Sequence, residues 1–255
     1  MKTKMFPGIK GKKVLVTGAS GGIGASVAKL FSSCGAVVGL HYYQNEREAN
    51  KIFTAIKKQR GKAELFKTNL LNPEERNGLI KSFIKTFGGI DILINNAGGV
   101  IGNQNFLELD ENSWDATLSL NLKAPFFLSQ KVFKIMKKQK WGRIINISSV
   151  AAKFGGSPSS LHYAGAKAGL EAITIGLARE GVPYNILVNA VRPGVIGTPF
   201  HEKIGRDSVK MRKRINTIPL KRIGTPDDIA SMVLYLASSY ADFITSQIFT
   251  VSGGE

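Results

Sequence analysis

The sequence predicts a single α/β domain, a doubly wound parallel sheet of about seven strands with helices on both faces. Three observations carry that expectation. Short apolar, β-branched runs alternate with stretches of helical spacing along nearly the whole chain. The runs are apolar on both faces, as strands buried beneath two layers of helix must be. No linker-like composition and no repeat period divides the 255 residues, a length that one α/β domain commonly reaches.

In chain order, residues 13–17 (KVLVT) form a first strand that runs into glycines, and residues 22–34 follow with Ile23, Val27, Leu30 and Phe31 at helical spacing. Residues 36–42 (AVVGLHY) make a second strand and 45–59 a second helix. Residues 63–70 and 72–87 repeat the unit, the helix opening with Asn-Pro-Glu-Glu, which suits an N-cap and first turn. A fourth strand at 90–95 (IDILIN) leads into one long helix over about 114–139, then a fifth strand at 143–148 (RIINIS). The segment after His162 reads as helix, and residues 186–192 (ILVNAVR) and 248–251 (IFTV) complete the strands. Residues 201–218 are charged and lack a strand pattern. Within a wider segment, 198–220, they are read either as a mobile lid over a pocket or as surface helices with solvated charges.

Composition bounds the function. The 35 Lys and Arg against 18 Asp and Glu give a formal charge of +17, a field that attracts nucleic acid, anionic membrane or an acidic protein. The basic residues are spread along the chain without a nucleic-acid-binding motif, so a solvated surface is the first reading and nucleic acid is not assigned as a partner. The single Cys34 cannot make an internal disulfide, which fits a reducing compartment. A basic tail, residues 1–10, has no apolar leader core, and no apolar run reaches membrane-spanning length, so a cytoplasmic protein is expected with no membrane partner.

The candidate chemistry lies at the ends of these strands. The first turn, Thr17-Gly18-Ala19-Ser20-Gly21-Gly22-Ile23-Gly24, sits between a strand and a helix, where glycines admit a pyrophosphate and the helix N-terminus supplies N–H groups. Its competing reading is an ordinary strand–helix turn. The second strand ends in His41-Tyr42-Tyr43 with no carboxylate before Glu46, which weakens the case for a free 2′-hydroxyl and leaves room for a 2′-phosphate. Asn95-Asn96-Ala97-Gly98-Gly99 ends the fourth strand, and residues 193–199 (PGVIGTP) follow the sixth. Asn121 is a polar residue among apolar neighbours in a helix, either a packing amide or the mark of a kink that serves a water. Tyr163 and Lys167 stand four apart and share a helix face, where an ammonium would lower the phenol pKa towards acid–base use. Taken alone, such a pair in a Lys-rich chain is a coincidence on a solvated face. No residue is assigned to a metal.

In that order, T-G-x-x-x-G-I-G, N-N-A-G, the helical Asn121, Ser149, Y-x-x-x-K and P-G-x-I-x-T resemble the short-chain dehydrogenase/reductase family over residues 11–254. The resemblance implies a Rossmann-type fold and hydride transfer between a nicotinamide cofactor and a carbonyl or secondary alcohol. It makes Tyr163 the proton donor, Lys167 the residue that binds the nicotinamide ribose and lowers the Tyr163 pKa, Ser149 the hydrogen-bond donor to the substrate oxygen, and Asn121 the holder of a relay water. Ser148 competes with Ser149 for the serine role, and alignment on I-S-S-V favours Ser149. Gly18, Ser20, Gly21, Gly22, Ile23 and Gly24 would line the pyrophosphate; Tyr42, Asn69 and Leu70 the adenosine end; Asn96, Ala97 and Gly98 the adenosine ribose. Pro193, Gly194, Ile196 and Thr198 would meet the nicotinamide.

Departures from the family pattern are Gly21 where NADP-preferring members often carry Arg or Lys, Asn69 for the usual adenine-binding Asp, and Ser246 and Ser252 in the C-terminal motifs. The expectation leans to NADP(H) over NAD(H). Length and residues 219–230 (PLKRIGTPDDIA) resemble 3-oxoacyl-carrier-protein reductases, with glucose-dehydrogenase-like enzymes the alternative. A thioester on an acidic carrier protein would suit the basic surface. Against it, Tyr184 replaces the carrier-docking Arg, and the Ser149–Tyr163 spacing is one residue longer. The resemblance also implies a homotetramer formed through the Asn121 and Tyr163 helices. A non-enzymatic cofactor sensor or nucleic-acid binder is the competing class, and the presence of all four catalytic positions argues against it.

Overall fold

The computed structural model describes residues 6–200 and 208–255. Seven strands form one sheet in the order β3-β2-β1-β4-β5-β6-β7. They are β1 (Lys13–Val16), β2 (Val37–Tyr42), β3 (Lys62–Lys67), β4 (Ile92–Asn95), β5 (Gly142–Ile147), β6 (Ile186–Pro193) and β7 (Ile248–Val251). Every pairing is parallel. Chain order reverses at β1, flanked by β2 and β4, so the crevice at their carboxyl ends is the place for a ligand in an open α/β sheet.

Residue parity sorts the core into two layers. Val14, Val16, Val38, Leu40, Ile92 and Ile94 face helix α1 (Gly22–Ser33) and the late helix Pro226–Ala237. Leu15, Leu93, Ile144 and Val188 face the other layer, with Phe83 of α3 (Pro73–Phe87) and Leu128 and Val132 of α5 (Ala124–Gln139). Helix α2 (Glu46–Lys58) covers the first layer with Ile56. Gly39 in β2 is dictated by this packing, since a Cβ there would come within 2.5 Å of the Phe83 ring.

Two elements depart from expectation. The long helix expected over 114–139 starts earlier and is not uniform. Asp110 caps α4 (Glu111–Leu118) by accepting from Ser113 N at 2.8 Å. A π-helical turn, Ser119–Lys123, then separates it from α5. The helix Pro226–Ala237, for which the sequence reading assigns no element, carries a capping box of Thr225 and Asp228 with Pro226 at its first position. Between these lie α6 (Ala151–Phe154), α7 (Leu161–Gly181) and α8 (Ser208–Thr217), making Pro226–Ala237 α9. Helix α8 has no buried residue, the character expected of a surface helix. Residues 201–207 of the expected lid lie outside the described residues, as do residues 1–5 of the basic tail.

Candidate active site

The glycine turn is built by hydrogen bonds that hold β1 against β4. Thr17 Oγ1 donates to Ile94 O at 3.2 Å and accepts from the amides of Asn96 (2.9 Å) and Ala97 (3.0 Å). Asn96 Nδ2 donates to Thr17 O at 2.8 Å and Gly18 O at 3.2 Å. The backbone at Gly18 has φ +67°, and a Cβ there would crowd Ala97 Cα at 3.0 Å. A Cβ on Gly24 would lie 2.3 Å from Gly18 O, so the helix can approach the turn only as glycine. Gly21 caps α1 without any side-chain bond to its first amides, and a Cβ on Gly21 would meet nothing within 4 Å. A helix N-terminus with uncapped amides and open space above it is a place for an anion, and it fits a dinucleotide pyrophosphate.

His41 is a part of this turn that its sequence position alone did not disclose. It is 3% exposed; its Nδ1 accepts from Gly18 N at 3.0 Å and its Nε2 meets Thr68 O at 3.0 Å. Acceptance at Nδ1 fixes a neutral ring with its proton on Nε2. Burial lowers its pKa from the usual 6.5 to about 4, the bond to Thr68 O opposing that shift. The imidazole therefore ties the turn to the end of β3. Tyr42 beside it is buried at 6% exposure, and Leu70 at 4%. Asn69 turns inward to its own loop, its Oδ1 accepting from Leu71 N at 3.0 Å and its backbone N donating to Glu75 Oε2 at 2.7 Å.

Around the carboxyl ends of β4 and β5 the four catalytic candidates come together. Tyr163 and Lys167 lie on α7, 9% and 3% exposed, which removes the reading of a solvated coincidence. Tyr163 is hydrogen-bonded to Ser149. Lys167 Nζ donates to Ile147 O at 2.7 Å and lies 5.6 Å from the Tyr163 ring centroid. Burial sets the direction of both titrations here. Burial pushes Tyr163 up to about 12, opposed by the Ser149 bond, and burial brings Lys167 down to about 8. The phenol thus stays protonated at neutral pH, the form that can give a proton.

Asn121 is wholly buried in the π-turn. Its Nδ2 donates to Gly99 O and Thr117 O, both at 2.8 Å, and its Oδ1 accepts from Gly99 N at 3.0 Å. One side-chain donor holds the loop after β4 and the other the last turn of α4. A Cβ on Gly98 would fall 2.6 Å from Asn121 Oδ1 and 3.1 Å from Lys167 Nζ, so this glycine keeps the space between them open. His162, buried beside Tyr163, bonds Ile101 O at 2.9 Å and ties the same loop to α7.

The two serines separate cleanly. Ser149 faces Tyr163, whereas Ser148 Oγ donates to Glu171 Oε1 at 2.6 Å. Glu171 also accepts from Arg192 Nε at 2.9 Å and Nη2 at 2.6 Å. The loop after β6 is fixed by Gly194 N to Val251 O at 3.0 Å and by a bridge between Ile196 and Gly224. Thr198 reaches the glycine turn, its Cγ2 3.1 Å from where a Gly22 Cβ would stand. The loop carrying Pro193, Gly194, Ile196 and Thr198 thus comes against the glycine turn at Thr198 and Gly22. Residues missed on sequence are His41, His162, Glu171 and Arg192, while Thr17 stood in the glycine-turn motif without a role of its own. Of the four missed, only His41, an imidazole ending an apolar strand, carried a signal.

A glycine cradle for a dinucleotide beside a buried, protonated tyrosine paired with serine and lysine defines a nicotinamide-dependent oxidoreductase. Comparison with known proteins places the chain further. A family model described as enoyl-(acyl carrier protein) reductase matches residues 18–255. Nodulation protein G of Rhizobium meliloti (strain 1021) is 38% identical over 247 residues, covering 96% of this chain and 97% of that protein. The 3-oxoacyl-[acyl-carrier-protein] reductase FabG of Aquifex aeolicus (strain VF5) is 38% identical over 247 residues, 96% and 98% covered, and the Synechocystis reductase 37% over 241 residues, 94% and 95% covered. The chain belongs to the short-chain dehydrogenase/reductase family, and it is an NAD(P)-dependent oxidoreductase acting on CH–OH and carbonyl groups. Among the described residues no helix is long and apolar enough to cross a membrane, and no group of three or more His, Cys, Asp or Glu could hold a metal ion.

Proposed function

We propose that this enzyme reduces the ketone of a 3-oxoacyl thioester presented by an acidic acyl carrier protein, with NADPH as the reductant. The observation that carries the direction is the buried Tyr163 phenol, held protonated with its pKa near 12 and hydrogen-bonded to Ser149. The bound nicotinamide would supply the hydride. Tyr163 gives its proton to the carbonyl oxygen, and Ser149 donates a hydrogen bond to the same oxygen. Lys167, anchored on Ile147 O, orients the nicotinamide ribose, and its charge favours the phenolate left after proton transfer. The first-turn amides of α1 take the pyrophosphate; Tyr42, Asn69 and Leu70 line the adenosine end, Asn96, Ala97 and Gly98 its ribose.

The relatives' names support the carrier-bound substrate, and the +17 charge suits an acidic carrier. The absence of a carboxylate at the end of β2 supports NADPH over NADH. The description of the matching family model motivates a second reading, reduction of an enoyl double bond. Assays with 3-oxoacyl and 2-enoyl thioesters, each with NADPH and NADH, separate the two. Consumption of the 3-oxoacyl thioester with NADPH supports the proposal; turnover of the enoyl thioester alone, or equal use of both cofactors, overturns the corresponding part. A homotetramer is proposed from the apolar groove of about 540 Å³ lined by Leu118, Leu122, Phe126, Phe127 and Ile173 on the Asn121 and Tyr163 helices, and a monomer by light scattering would refute it. That the chain has a single cysteine, Cys34, and so forms no internal disulfide supports a cytoplasmic site of action.

A further inference from the structure

One ion pair stands apart from those on the surface. Glu171 lies on α7 one turn beyond Lys167 and two turns beyond Tyr163, so the three share a face. Its carboxylate and the Arg192 guanidinium are 13% and 18% exposed, and they meet side-on through two N–H donors of one fork. The remaining bonds spread outward from that pair. Ser148, at the end of β5 and next to Ser149, donates to Glu171 Oε1 at 2.6 Å. Arg192, at the end of β6 and next to Pro193, donates through Nη1 to Thr250 Oγ1 of β7 at 3.0 Å. Backbone bonds run the same way, from Ser148 N to Val191 O at 2.8 Å and from Val150 N to Pro193 O at 3.0 Å. The carboxyl ends of three strands are thereby fastened to the helix that carries the proton donor.

We propose that Glu171 and Arg192 are positioning residues that hold the Ser149 hydroxyl against Tyr163. Neither touches a reacting atom. The physical case rests on leverage. Ser149 sits on a loop, followed by the four-residue turn α6, and its own hydroxyl already accepts from Ala151 N at 3.1 Å. Its place relative to α7 is set by the neighbours that reach α7, Ile147 through Lys167 and Ser148 through Glu171, and only the second of these ties also leads to β6 through Arg192. A planar guanidinium gives two parallel bonds to one carboxylate, an angular constraint that an ammonium does not impose. A pair desolvated to this extent also behaves as a unit, because removing one partner strands the other charge.

This inference rests on the carbonyl-reductase reading, and its test separates the two. Wild type, Glu171→Gln, Arg192→Lys, Arg192→Gln, Ser148→Ala and the double variant Glu171→Gln/Arg192→Gln are assayed with a 3-oxoacyl thioester. NADPH affinity is measured separately by fluorescence. Glu171→Gln is expected to lower kcat roughly ten- to a hundredfold, the loss that a misplacement of about 1 Å can cause, with NADPH affinity within about twofold of wild type by the same reasoning. Arg192→Lys keeps the charge and loses the fork, so it should recover only part of kcat relative to Arg192→Gln. The double variant should be no slower than the worse single one. Ser148→Ala leaves the ion pair in place and removes only the tie to β5; it should fold like wild type and still lower kcat with NADPH affinity unchanged. Wild-type kcat in Ser148→Ala and Glu171→Gln would overturn the positioning role, as would a loss traced wholly to weaker NADPH binding or to a lower Tm. A wild-type enzyme that reduces no carbonyl would overturn the functional reading and the inference with it.

Discussion

Acidification should loosen this fold through His41 before it affects the catalytic group, and the size of the effect follows from the geometry. The neutral ring accepts from Gly18 N and donates to Thr68 O, and at 3% exposure an imidazolium there would be desolvated and would face the Gly18 N–H with a second N–H. Its native pKa is about 4 against 6.5 in the unfolded chain. Between those values the unfolded chain binds the proton and the native one does not, so stability rises with pH in that window. The contribution is fully present above about pH 6.5 and is lost as pH falls through about 4. A difference of 2.5 pKa units corresponds to about 3 kcal/mol. Urea midpoints of wild type and His41→Leu across pH 4 to 7 measure it. Carboxylates titrate in both proteins, so the difference between the two slopes isolates the imidazole. His41→Leu should be less stable by about 1–3 kcal/mol at pH 7, from a Gly18 N–H left without its acceptor, and that gap should close towards pH 4. The chain has three histidines, so the ring can also be followed by its C2 proton. A His41 titration near its ordinary pKa, or equal slopes in the two proteins, would refute the account.

The remaining expectations concern the site itself. Tyr163→Phe should keep NADPH binding and lose about 10²–10⁴-fold in kcat, the usual worth of a positioned acid; unchanged kcat would remove Tyr163 from the chemistry. In the free enzyme, kcat/KM for the cofactor should fall as pH rises through about 8, where Lys167 loses its charge, and a profile flat to pH 10 would contradict that role. Gly24→Ala places a methyl 2.3 Å from Gly18 O, so the turn must shift. Its expected cost is about 1–3 kcal/mol in a denaturant melt, with weaker NADPH binding; wild-type values for both would show that the turn has slack.

The sheet was legible because its strands are buried on both faces, which leaves apolar runs such as IDILIN and ILVNAVR that local pattern alone identifies. Helix α9 was as legible in principle: Thr225-Pro226-Asp227-Asp228 is a capping signal, and Ile229, Ala230, Val233 and Leu234 keep helical spacing, yet its proline-bearing start reads equally as loop. The four candidate catalytic side chains could be named from the family resemblance, but the sign of the Tyr163 shift could not. Helical periodicity puts Lys167 beside Tyr163 and says nothing of burial or of the Ile147 carbonyl that takes the ammonium. Glu171 and Arg192 are 21 positions apart on different elements, and no local rule links them. Their contact exists only once α7 packs on β6.

The π-turn at Ser119–Lys123 has a consequence for how this enzyme tolerates change in length. A turn of this kind accommodates one residue more than an α-helix would, and each residue rotates an α-helix by about 100°. Deleting one residue between Leu118 and Ala124 would let α4 and α5 run on as one regular helix, while Leu128, Val132 and Met136 kept their places in the core. The amide of Asn121 would then swing away from Gly99 and the loop that borders the active site. Shortening this segment by a single residue is therefore expected to spare the core and, on the proposed reading of the site, to abolish carbonyl reduction.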